Sequence, residues 1–556
     1  MKLQSKPAMP LLEINDLTVD FETPEGTIRA VDHLNMTIEP GEVMGLVGES
    51  GSGKSITAKT LMRLNPGNAR IQAQSRIQFH RDPSVDVLKL RGRDLRIVRG
   101  GEVSMIFQEP MASFAPAIRI GDQIVETIRL HLGHDRQTAR RIGIELFERV
   151  GIREPEKRFD QYVFELSGGM RQRAMIAMAL ATKPKLLIAD EPTTALDVTI
   201  QAQVLELMME LREQLGMAIL FITHDLGVIS KVADRLTVMR RGKMVEQGHA
   251  QAVLHAPMHG YTRKLLDALP HLNDLPQPPT ERPAPLVSIN ALSISYPQSG
   301  RRKAEAFLAV PEVSLELPRG QIIGLVGESG SGKTSLGKAL LGAAPISGGE
   351  VVYHTDPPLR LAGKGRIDRR RFARVAQLVF QDPYSSLNPR MTVRDIIAEP
   401  LEAMKICKSR EEIDRKVIEA AQRCHLETSH LRRFPHAFSG GQRQRISIAR
   451  ALICEPQLLV ADEAVAALDV SIQSEILALL RELRDELGLT ILFISHDLSV
   501  VANLCDHICV MQHGKLVEQG NVRQIFLEPR EIYTQTLIAS IPVIEAPRRQ
   551  DLLVTS

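Results

Sequence analysis

The chain has 556 residues, of which 44% are hydrophobic and 24% are charged, and its formal net charge is +3. This length is too great for one hydrophobic core, so we expect two domains of similar size. The small net charge gives no support for nucleic-acid binding, and no stretch has the roughly 18 apolar residues of a membrane span. The N-terminal residues lack the apolar segment of a signal peptide, so we expect none.

The first chemical motif in chain order is GLVGESGSGKS at 45–55, and it returns as GLVGESGSGKT at 324–334. In each copy a short apolar run predicts a buried strand before the loop, and helical spacing without Pro predicts a helix after it. Strand, loop and helix form the setting in which the pattern GxxxxGK(S/T) binds a polyphosphate. A glycine-rich turn that happens to precede a lysine is the alternative, but two matches at equivalent places make chance negligible.

Each glycine-rich loop (48–55 and 327–334) has the residue types that a nucleoside triphosphate and Mg²⁺ require. Glycines let successive N–H groups point at the phosphates, and the following helix adds the positive end of its dipole. The lysine would reach the β- and γ-phosphates, and the last hydroxyl would bind Mg²⁺. The predicted phosphate-binding residues are Gly48, Ser50, Gly51, Gly53, Lys54 and Ser55, and in the second copy Gly327, Ser329, Gly330, Gly332, Lys333 and Thr334.

The rest of the chain repeats at a nearly constant offset, and even the short C-terminal appendage is duplicated, as HAPMHGYTRKLLDALP and LEPREIYTQTLIASIP. Each half opens with strand-like segments and carries helical segments between apolar strands, which predicts an α/β fold. The predicted boundaries are 1–271 for the first domain, with its appendage at about 251–271, then 272–286 for an extended Pro-rich linker, and 287–556 for the second domain, with its appendage at about 523–545.

An acidic pair ends an apolar strand in each half, within LLIADEPTTALD at 186–197 and LLVADEAVAALD at 458–469. In an ATPase with such a glycine-rich loop, the Asp at the strand end holds Mg²⁺ and the next Glu polarises the attacking water. The predicted metal ligands are therefore Asp190 and Asp462, and the predicted catalytic bases are Glu191 and Glu463.

Together these motifs resemble the ATP-binding subunits of ABC transporters over essentially all of both halves. LSGGM at 166–170 and FSGGQ at 438–442 resemble the signature of that family, in which donors at a helix start bind the γ-phosphate. The expected signature contacts are Ser167, Gly168, Gly169, Ser439, Gly440 and Gly441.

The resemblance also implies roles for single residues. It implies metal and water sensing for Gln108 and Gln381, contact with the γ-phosphate for His224 and His496, the D-loop role for Asp197 and Asp469, and stacking on adenine for Phe21 and Tyr296. A lone aromatic residue on a strand is often part of the core, so for Phe21 and Tyr296 both interpretations stay open.

In this family the signature of one domain closes on the glycine-rich loop of the other, so two fused domains would supply two complete sites. The resemblance therefore implies two tandem P-loop NTPase domains, each with a helical subdomain and an appendage, with ATP and Mg²⁺ as cofactors. Met170 replaces the usual signature Gln, and Ala464 replaces the Pro that usually follows the catalytic Glu. Neither change removes a phosphate donor, a metal ligand or a base, so we expect both sites to hydrolyse ATP.

Three features resemble the di- and oligopeptide importer branch: the loop sequence GESGSGK, the sequence SLNP at 386–389, and the Tyr-Thr pairs at 261–262 and 533–534. The first half departs from that branch and has SFAP at 113–116. The branch implies two transmembrane permease subunits, an extracytoplasmic solute-binding protein as an indirect partner, and a peripheral place on the cytoplasmic face of the bacterial inner membrane. Peptides are the expected cargo, and oligosaccharides, opines, glutathione and nickel stay open.

Two other classes compete with the importer. Tandem ABC proteins that act on ribosomes or DNA have a long charged helical linker or inserted zinc-binding cysteines, whereas this chain has a short Pro-rich linker and no CxxC pair. Fused exporters usually carry their own membrane spans. We therefore expect an importer without a nucleic-acid partner.

Overall fold

The apolar runs before the glycine-rich loops and the acidic pairs become central strands of two sheets, one in each half of the chain. The computed structural model describes residues 9–23, 26–108, 110–193, 198–267, 275–277, 283–297, 306–363, 368–466 and 468–541. Most of the described residues up to Asp267 form one compact unit, and those from Leu275 to Ile541 form a second.

The elements of the first half follow in chain order. They are β1 (Leu12–Thr23), β2 (Gly26–Ile38), β3 (Val43–Val47), α1 (Lys54–Leu61), β4 (Ala69–Ile71), β5 (Arg76–Phe79), β6 (Val85–Asp86), α2 (Gly92–Val98), β7 (Val103–Ile106), α3 (Pro110–Ser113), α4 (Ile120–Leu132), α5 (Arg136–Arg149), α6 (Pro155–Phe159), α7 (Gly168–Leu180), β8 (Leu186–Asp190), α8 (Val198–Leu215), β9 (Ala218–Thr223), α9 (Leu226–Val232), β10 (Arg235–Arg240), β11 (Lys243–His249), α10 (Ala250–His255) and α11 (Gly260–Asp267).

The first half contains two sheets. The larger has the order β11-β10-β3-β9-β8-β7, and all its pairs are parallel except β10 with β11. Every residue of β3, β8 and β9 is buried, as expected for parallel strands that are covered on both faces. The smaller sheet is antiparallel, in the order β2-β1-β5-β6 with β4 also paired to β1, and α1 contributes Ala58 and Leu61 to the core that its strands share with the larger sheet.

The second half repeats these elements. They are β12 (Pro285–Tyr296), β13 (Phe307–Pro318), β14 (Ile322–Val326), α12 (Lys333–Leu340), β15 (Ile346–Tyr353), β16 (Leu359–Leu361), α13 (Arg369–Ala373), β17 (Ala376–Val379), α14 (Pro383–Ser386), α15 (Val393–Ala403), α16 (Arg410–Arg423), α17 (Gly440–Leu452), β18 (Leu458–Asp462), α18 (Val470–Leu487), β19 (Thr490–Ser495), α19 (Leu498–Leu504), β20 (His507–Gln512), β21 (Lys515–Asn521), α20 (Val522–Leu527) and α21 (Ile532–Ala539).

The sheets of the second half have the same topology as those of the first. The larger runs β17-β18-β19-β14-β20-β21, and the smaller runs β13-β12-β15-β16. The α/β prediction for both halves is therefore confirmed. Within the described part of the chain, no helix combines the length and the apolar composition that crossing a membrane requires.

Part of the predicted linker packs against the second half. Leu275 is 5% exposed and belongs to the core around α17, β18 and α20. The guanidinium of Arg523 donates to its carbonyl oxygen at 3.4 Å. The surrounding prolines and polar residues cannot build a core of their own, but one leucine side chain gains enough from burial to pack against a neighbouring apolar surface.

The helical segment of the first half is built around one phenylalanine. Phe159 is fully buried, and its ring makes an edge-to-face contact with Phe147 at 5.1 Å between centroids. Gly121 and Gly143 let α4 and α5 approach this ring, since a Cβ at these positions would lie 2.1 and 2.5 Å from its atoms. A close-packed site of this kind relaxes poorly when it is emptied.

We therefore expect Phe159→Ala to lower the free energy of unfolding of this segment by about 3–5 kcal/mol. Amide hydrogen exchange over α4 to α7 in the intact chain would measure the loss. Phe164→Ala is the matched control, because the Phe164 side chain is 58% exposed and its removal should cost less than about 0.5 kcal/mol. Equal exchange protection in the two variants would contradict the prediction.

Candidate functional site

Four neighbouring parallel strands bring the predicted site residues to one edge of the larger sheet. The order β7-β8-β9-β3 places four chain segments side by side, because the carboxyl ends of parallel strands meet at the same edge. The segments that follow these strands carry, in that order, Gln108, the Asp190–Glu191 pair, His224 and the glycine-rich loop. The order β17-β18-β19-β14 does the same for the second half.

The glycine-rich loop needs glycine at its two ends. Gly48 and Gly53 have φ values of 151 and 102, which L side chains rarely adopt. A Cβ on Gly48 would lie 2.2 Å from the carbonyl oxygen of Met239, and one on Gly53 would lie 2.4 Å from that of Ala30. The loop thus lies directly against neighbouring backbone, and its helix α1 begins at Lys54.

The loop lysine is buried and turned back onto its own loop. Lys54 is 5% exposed, and its Nζ donates to the carbonyl oxygens of Gly48 at 2.6 Å and Glu49 at 2.9 Å. In the second half Lys333 Nζ donates to the corresponding carbonyls of Gly327 and Glu328 at 2.7 and 2.8 Å. The ammonium group is thereby held inside the curve of the loop.

The predicted magnesium ligands are neighbours in both halves. Ser55 Oγ donates to Asp190 Oδ1 at 3.0 Å, and Thr334 Oγ1 donates to Asp462 Oδ1 at 3.2 Å. Burial raises the pKa of both aspartates, and these hydroxyl hydrogen bonds oppose the rise. A hydroxyl beside a carboxylate is a pair of hard oxygen donors, which suits Mg²⁺ completed by phosphate and water oxygens. Among the described residues no group of three or more His, Cys, Asp or Glu side chains forms a separate metal site.

The predicted base is held between two other predicted residues. Gln108 Nε2 donates to Glu191 Oε2 at 2.8 Å, and His224 Nδ1 lies 3.2 Å from Glu191 Oε1. Glu191 has a φ of 49, which is strained for a side chain of this size, and its N–H donates to the carbonyl of Ile222 on β9. The left-handed turn follows the strand end directly and leaves the carboxylate between glutamine and histidine.

The second half repeats this arrangement around Glu463. Gln381 Nε2 donates to Glu463 Oε2 at 2.6 Å, and His496 Nδ1 lies 3.2 Å from Glu463 Oε1. Burial by itself would raise the pKa of Glu463, but the hydrogen bond from His496 and the charge of Lys333 bring it below its usual value. The carboxylate is therefore ionised at neutral pH, which is the state that a general base requires.

The two glutamines contact the base, although they were predicted as metal ligands. The amide nitrogens of Gln108 and Gln381 reach the glutamates because β7 and β8, like β17 and β18, are adjacent strands. A carboxylate is a strong acceptor for the amide N–H. The metal role of the glutamines stays a prediction.

The two predicted adenine-stacking residues differ in their surroundings. Tyr296 is half-buried, and its hydroxyl donates to Ser335 Oγ at 3.3 Å, one residue beyond the second glycine-rich loop. Phe21 is half-buried against the core that contains α1. Phe21 lies on β1 and Tyr296 on β12, and both strands belong to the smaller, antiparallel sheets. Their adenine role stays a prediction.

The signatures lie in the helical segments and not at the strand ends. Ser167 and Ser439 are the N-caps of α7 and α17, and their hydroxyls accept from the N–H of Met170 and Gln442, both at 3.4 Å. The Gln442 side chain also accepts from the Ser439 N–H, which completes a capping box. Met170 has no side-chain amide, so it cannot accept from the Ser167 N–H in this way.

Close packing explains the second glycine of each signature. A Cβ on Gly441 would lie 2.3 Å from the Ile472 side chain of α18, and one on Gly169 would lie 3.3 Å from Ile200 of α8. Gly168 is exposed and Gly440 half-buried at the helix starts. Asp469 is the N-cap residue of α18, whereas Asp197 lies outside the described residues.

Two residues that we did not predict as part of the site reach the glycine-rich loops. The hydroxyls of Tyr261 and Tyr533, in the two appendages, accept from the backbone N–H groups of Glu49 and Glu328. The duplicated Tyr-Thr pair was the available signal, but sequence spacing cannot show which surface an appendage covers.

Comparisons with known proteins show the family to which the chain belongs. The sequence profile of the ABC transporter family matches residues 31–194 and 310–466, and a profile described as the oligopeptide/dipeptide transporter C-terminal region matches residues 245–288 and 517–555. The second profile covers both appendages.

Two relatives are similar over nearly the whole chain. The peptidoglycan transport ATP-binding protein YejF of Agrobacterium fabrum is 46% identical over 97% of each chain. The glutathione import ATP-binding protein GsiA of Pectobacterium atrosepticum is 43% identical over 98% of this chain and 91% of its own. A solved structure, cbiO1 of Clostridium perfringens, aligns with 44% of this chain and 91% of its own at 27% identity and a TM-score of 0.38. The chain therefore belongs to the ABC transporter family, as an ATP-binding ATPase that carries two ABC domains on one polypeptide.

Proposed function

We propose that this chain powers the import of short peptides by hydrolysing ATP on the cytoplasmic side of a membrane permease pair. The observation that supports hydrolysis most directly is the position of Glu191, held by Gln108 and His224 at the strand edge next to the glycine-rich loop. Glu463 has the same contacts in the second half. Both halves therefore have a base for ATP hydrolysis.

Each residue of the first site has a distinct task in this proposal. Backbone N–H groups of the glycine-rich loop, together with Lys54, bind the polyphosphate, and Ser55 with Asp190 would hold Mg²⁺. The bound ion neutralises charge that develops on the phosphates. Glu191 accepts a proton from the attacking water, while Gln108 and His224 keep its carboxylate oriented.

We further propose that each ATP site is completed by the signature of the other half. Residues 48–55 would work with 438–442, and residues 327–334 would work with 166–170. This pairing is what the family resemblance implies; within each half, the signature starts a helix with an N-terminal Ser and two glycines, a favourable place for phosphate. ATP would then bring the halves together, and hydrolysis would release them.

Short peptides are the cargo that the comparisons support best. The C-terminal profile is that of oligopeptide and dipeptide transporters, and the two relatives are named for peptidoglycan and for glutathione. Glutathione is a tripeptide and peptidoglycan carries short peptide stems, so a short peptide is the chemistry that these names share. Oligosaccharides, opines and nickel are the competing cargoes.

Exposed apolar side chains next to the glutamines support permease partners. Met111 and Ile118, in the segment after Gln108, are 43% and 45% exposed. Tyr384 and Phe380, on either side of Gln381, are 62% and 46% exposed. The two surfaces differ in composition, which fits two different permease subunits, with a solute-binding protein acting on their far side. We propose no nucleic-acid partner.

We predict that Glu191→Gln and Glu463→Gln each remove one of two active sites. The amide cannot accept the proton of the attacking water, so hydrolysis at that site should fall by about 10²–10⁴-fold. Steady-state ATPase activity of the single and double variants would measure this. Glu213→Gln and Glu486→Gln are controls, since these glutamates are exposed on α8 and α18. A single variant with undiminished activity would show that its site is not catalytic.

If each ATP site needs the signature of the other half, a substitution in one signature should reduce nucleotide trapping at the glycine-rich loop of the other half. Gly440→Asp places a carboxylate where the γ-phosphate of the first loop would bind, and like charges repel. Vanadate trapping of azido-ATP, followed by photolabelling and cleavage of the chain between the halves, should show loss of label from the first half. Loss from the second half alone would contradict the arrangement.

The importer proposal predicts which proteins accompany this chain. Affinity purification from detergent-solubilised membranes of the host should recover two multi-span permeases, and their solute-binding protein should bind di- or tripeptides, glutathione or peptidoglycan peptides in a thermal-shift screen. Recovery of ribosomal or DNA-repair proteins without permeases would reject the importer. Binding of oligosaccharides, opines or nickel in the screen would reject the peptide cargo.

A further inference from the structure

Each appendage touches the glycine-rich loop of its own half through one tyrosine. Glu49 N–H donates to Tyr261 Oη at 3.2 Å, and Glu328 N–H donates to Tyr533 Oη at 3.0 Å. The two tyrosines lie in helices α11 and α21, more than 200 residues along the chain from the loops that they contact. The contact therefore occurs twice, in surroundings that differ in sequence.

The tyrosine and the loop lysine hold the two sides of one peptide group. The group between Gly48 and Glu49 donates its N–H to Tyr261, and its carbonyl oxygen accepts from Lys54 Nζ. The group between Gly327 and Glu328 makes the same pair of bonds with Tyr533 and Lys333. Since the N–H and C=O of a peptide group point in opposite directions, the tyrosine directs the carbonyl toward the lysine.

Without the tyrosine, the lysine would be the remaining described partner of this peptide group. Glycine occupies the preceding position with φ at 151 in the first half and 149 in the second, so its backbone does not restrict the peptide plane as other residues do. Burial raises the pKa of Tyr261 to about 12, so its hydroxyl keeps its proton at neutral pH. Arg240 lies over the same ring at 4.8 Å and packs it in place.

A glutamate on the last strand of each half fixes the appendage. Glu246 of β11 accepts from the N–H groups of Met258 and His259 and from the hydroxyl of Thr262, which is fully buried. Glu518 of β21 accepts from the N–H groups of Arg530 and Glu531. The strand that ends the larger sheet thus sets where the tyrosine of each appendage stands.

We propose that Tyr261 and Tyr533 are positioning residues for ATP, which hold the first peptide group of each glycine-rich loop with its carbonyl oxygen toward the loop lysine and so order the loop before the phosphates bind. The inference rests on the proposal that these loops bind the phosphates. In this proposal each appendage orders the glycine-rich loop of its own half. A loop that is already ordered loses less conformational freedom when ATP binds. The tyrosines touch neither the base nor its partners in any contact described above, so they should affect binding more than chemistry.

Tyr261→Phe and Tyr533→Phe test this proposal, because phenylalanine keeps the ring and removes only the hydroxyl. One lost hydrogen bond to a loop N–H corresponds to a 3- to 10-fold weaker affinity for ATP at that site. Binding of a fluorescent ATP analogue should be measured with both glutamates changed to glutamine, so that no turnover occurs. With the glutamates restored, KM for ATP should rise by the same factor, while kcat stays within about twofold.

Met258→Ala and Ile532→Ala are the matched controls, since these neighbouring appendage side chains are 86% and 80% exposed. Their affinity for ATP should equal that of the unmodified chain. An unchanged affinity in the phenylalanine variants would overturn the proposal, and so would a fall in kcat with KM unchanged. The double variant Lys54→Ala with Lys333→Ala tests the phosphate site separately from the tyrosines. If this variant still binds ATP normally, the proposed phosphate site is wrong. If it loses ATP binding while the phenylalanine variants bind normally, only the role of the tyrosines is rejected.

Discussion

The parallel pairing of four buried strands is the constraint on which the site depends. In the first half β7, β8, β9 and β3 lie side by side, and each ends where a segment with a polar function begins. Because these strands are buried on both faces, their register cannot shift without exposing apolar side chains to water or burying polar ones. Gln108, Glu191 and His224 therefore meet reproducibly, and the second half repeats the result with its own strands.

Charge at this edge is controlled by burial and by specific partners. Asp190 is 3% exposed and its pKa is raised by burial, whereas the pKa of Glu463 is lowered by His496 and Lys333 against the effect of burial. In each half, an aspartate beside a hydroxyl and a glutamate beside a histidine thus come from adjacent residues in the chain. The left-handed turn at each glutamate separates the two carboxylates, and its strain is opposed by a backbone hydrogen bond to the next strand.

The appendages add specific contacts to the glycine-rich loops. Polar contacts run from Glu246 through Thr262 and the start of α11 to Tyr261, and from there to the peptide group that Lys54 binds. Backbone groups are obligatory hydrogen-bonding groups, so the N–H of Glu49 and that of Glu328 each need a partner. A tyrosine hydroxyl supplies that partner in both halves, although the surrounding appendage residues differ.

The class of the protein and its repeat could be read from the sequence, which also predicted the residues that the structure brings to the strand edge. Gly48 and Gly53, followed by a lysine, predict a loop whose backbone adopts positive φ values. An apolar run that ends in Asp-Glu predicts a buried strand that ends at a polar edge. These are local relations, and local sequence encodes them. The signatures, too, could be recognised as helix starts from a Ser followed by two glycines.

Only the tertiary structure decided which of these segments meet. Strand order is not chain order, so no spacing could show that Gln108 binds Glu191, nor that Leu275 of the predicted linker packs into the second half. The contact between Tyr261 and Glu49 was equally hidden, because the position of α11 depends on a carboxylate of β11 as well as on residues of the helix itself. Contacts between distant parts of the chain follow from the packing of buried faces, and that packing is a property of the whole domain.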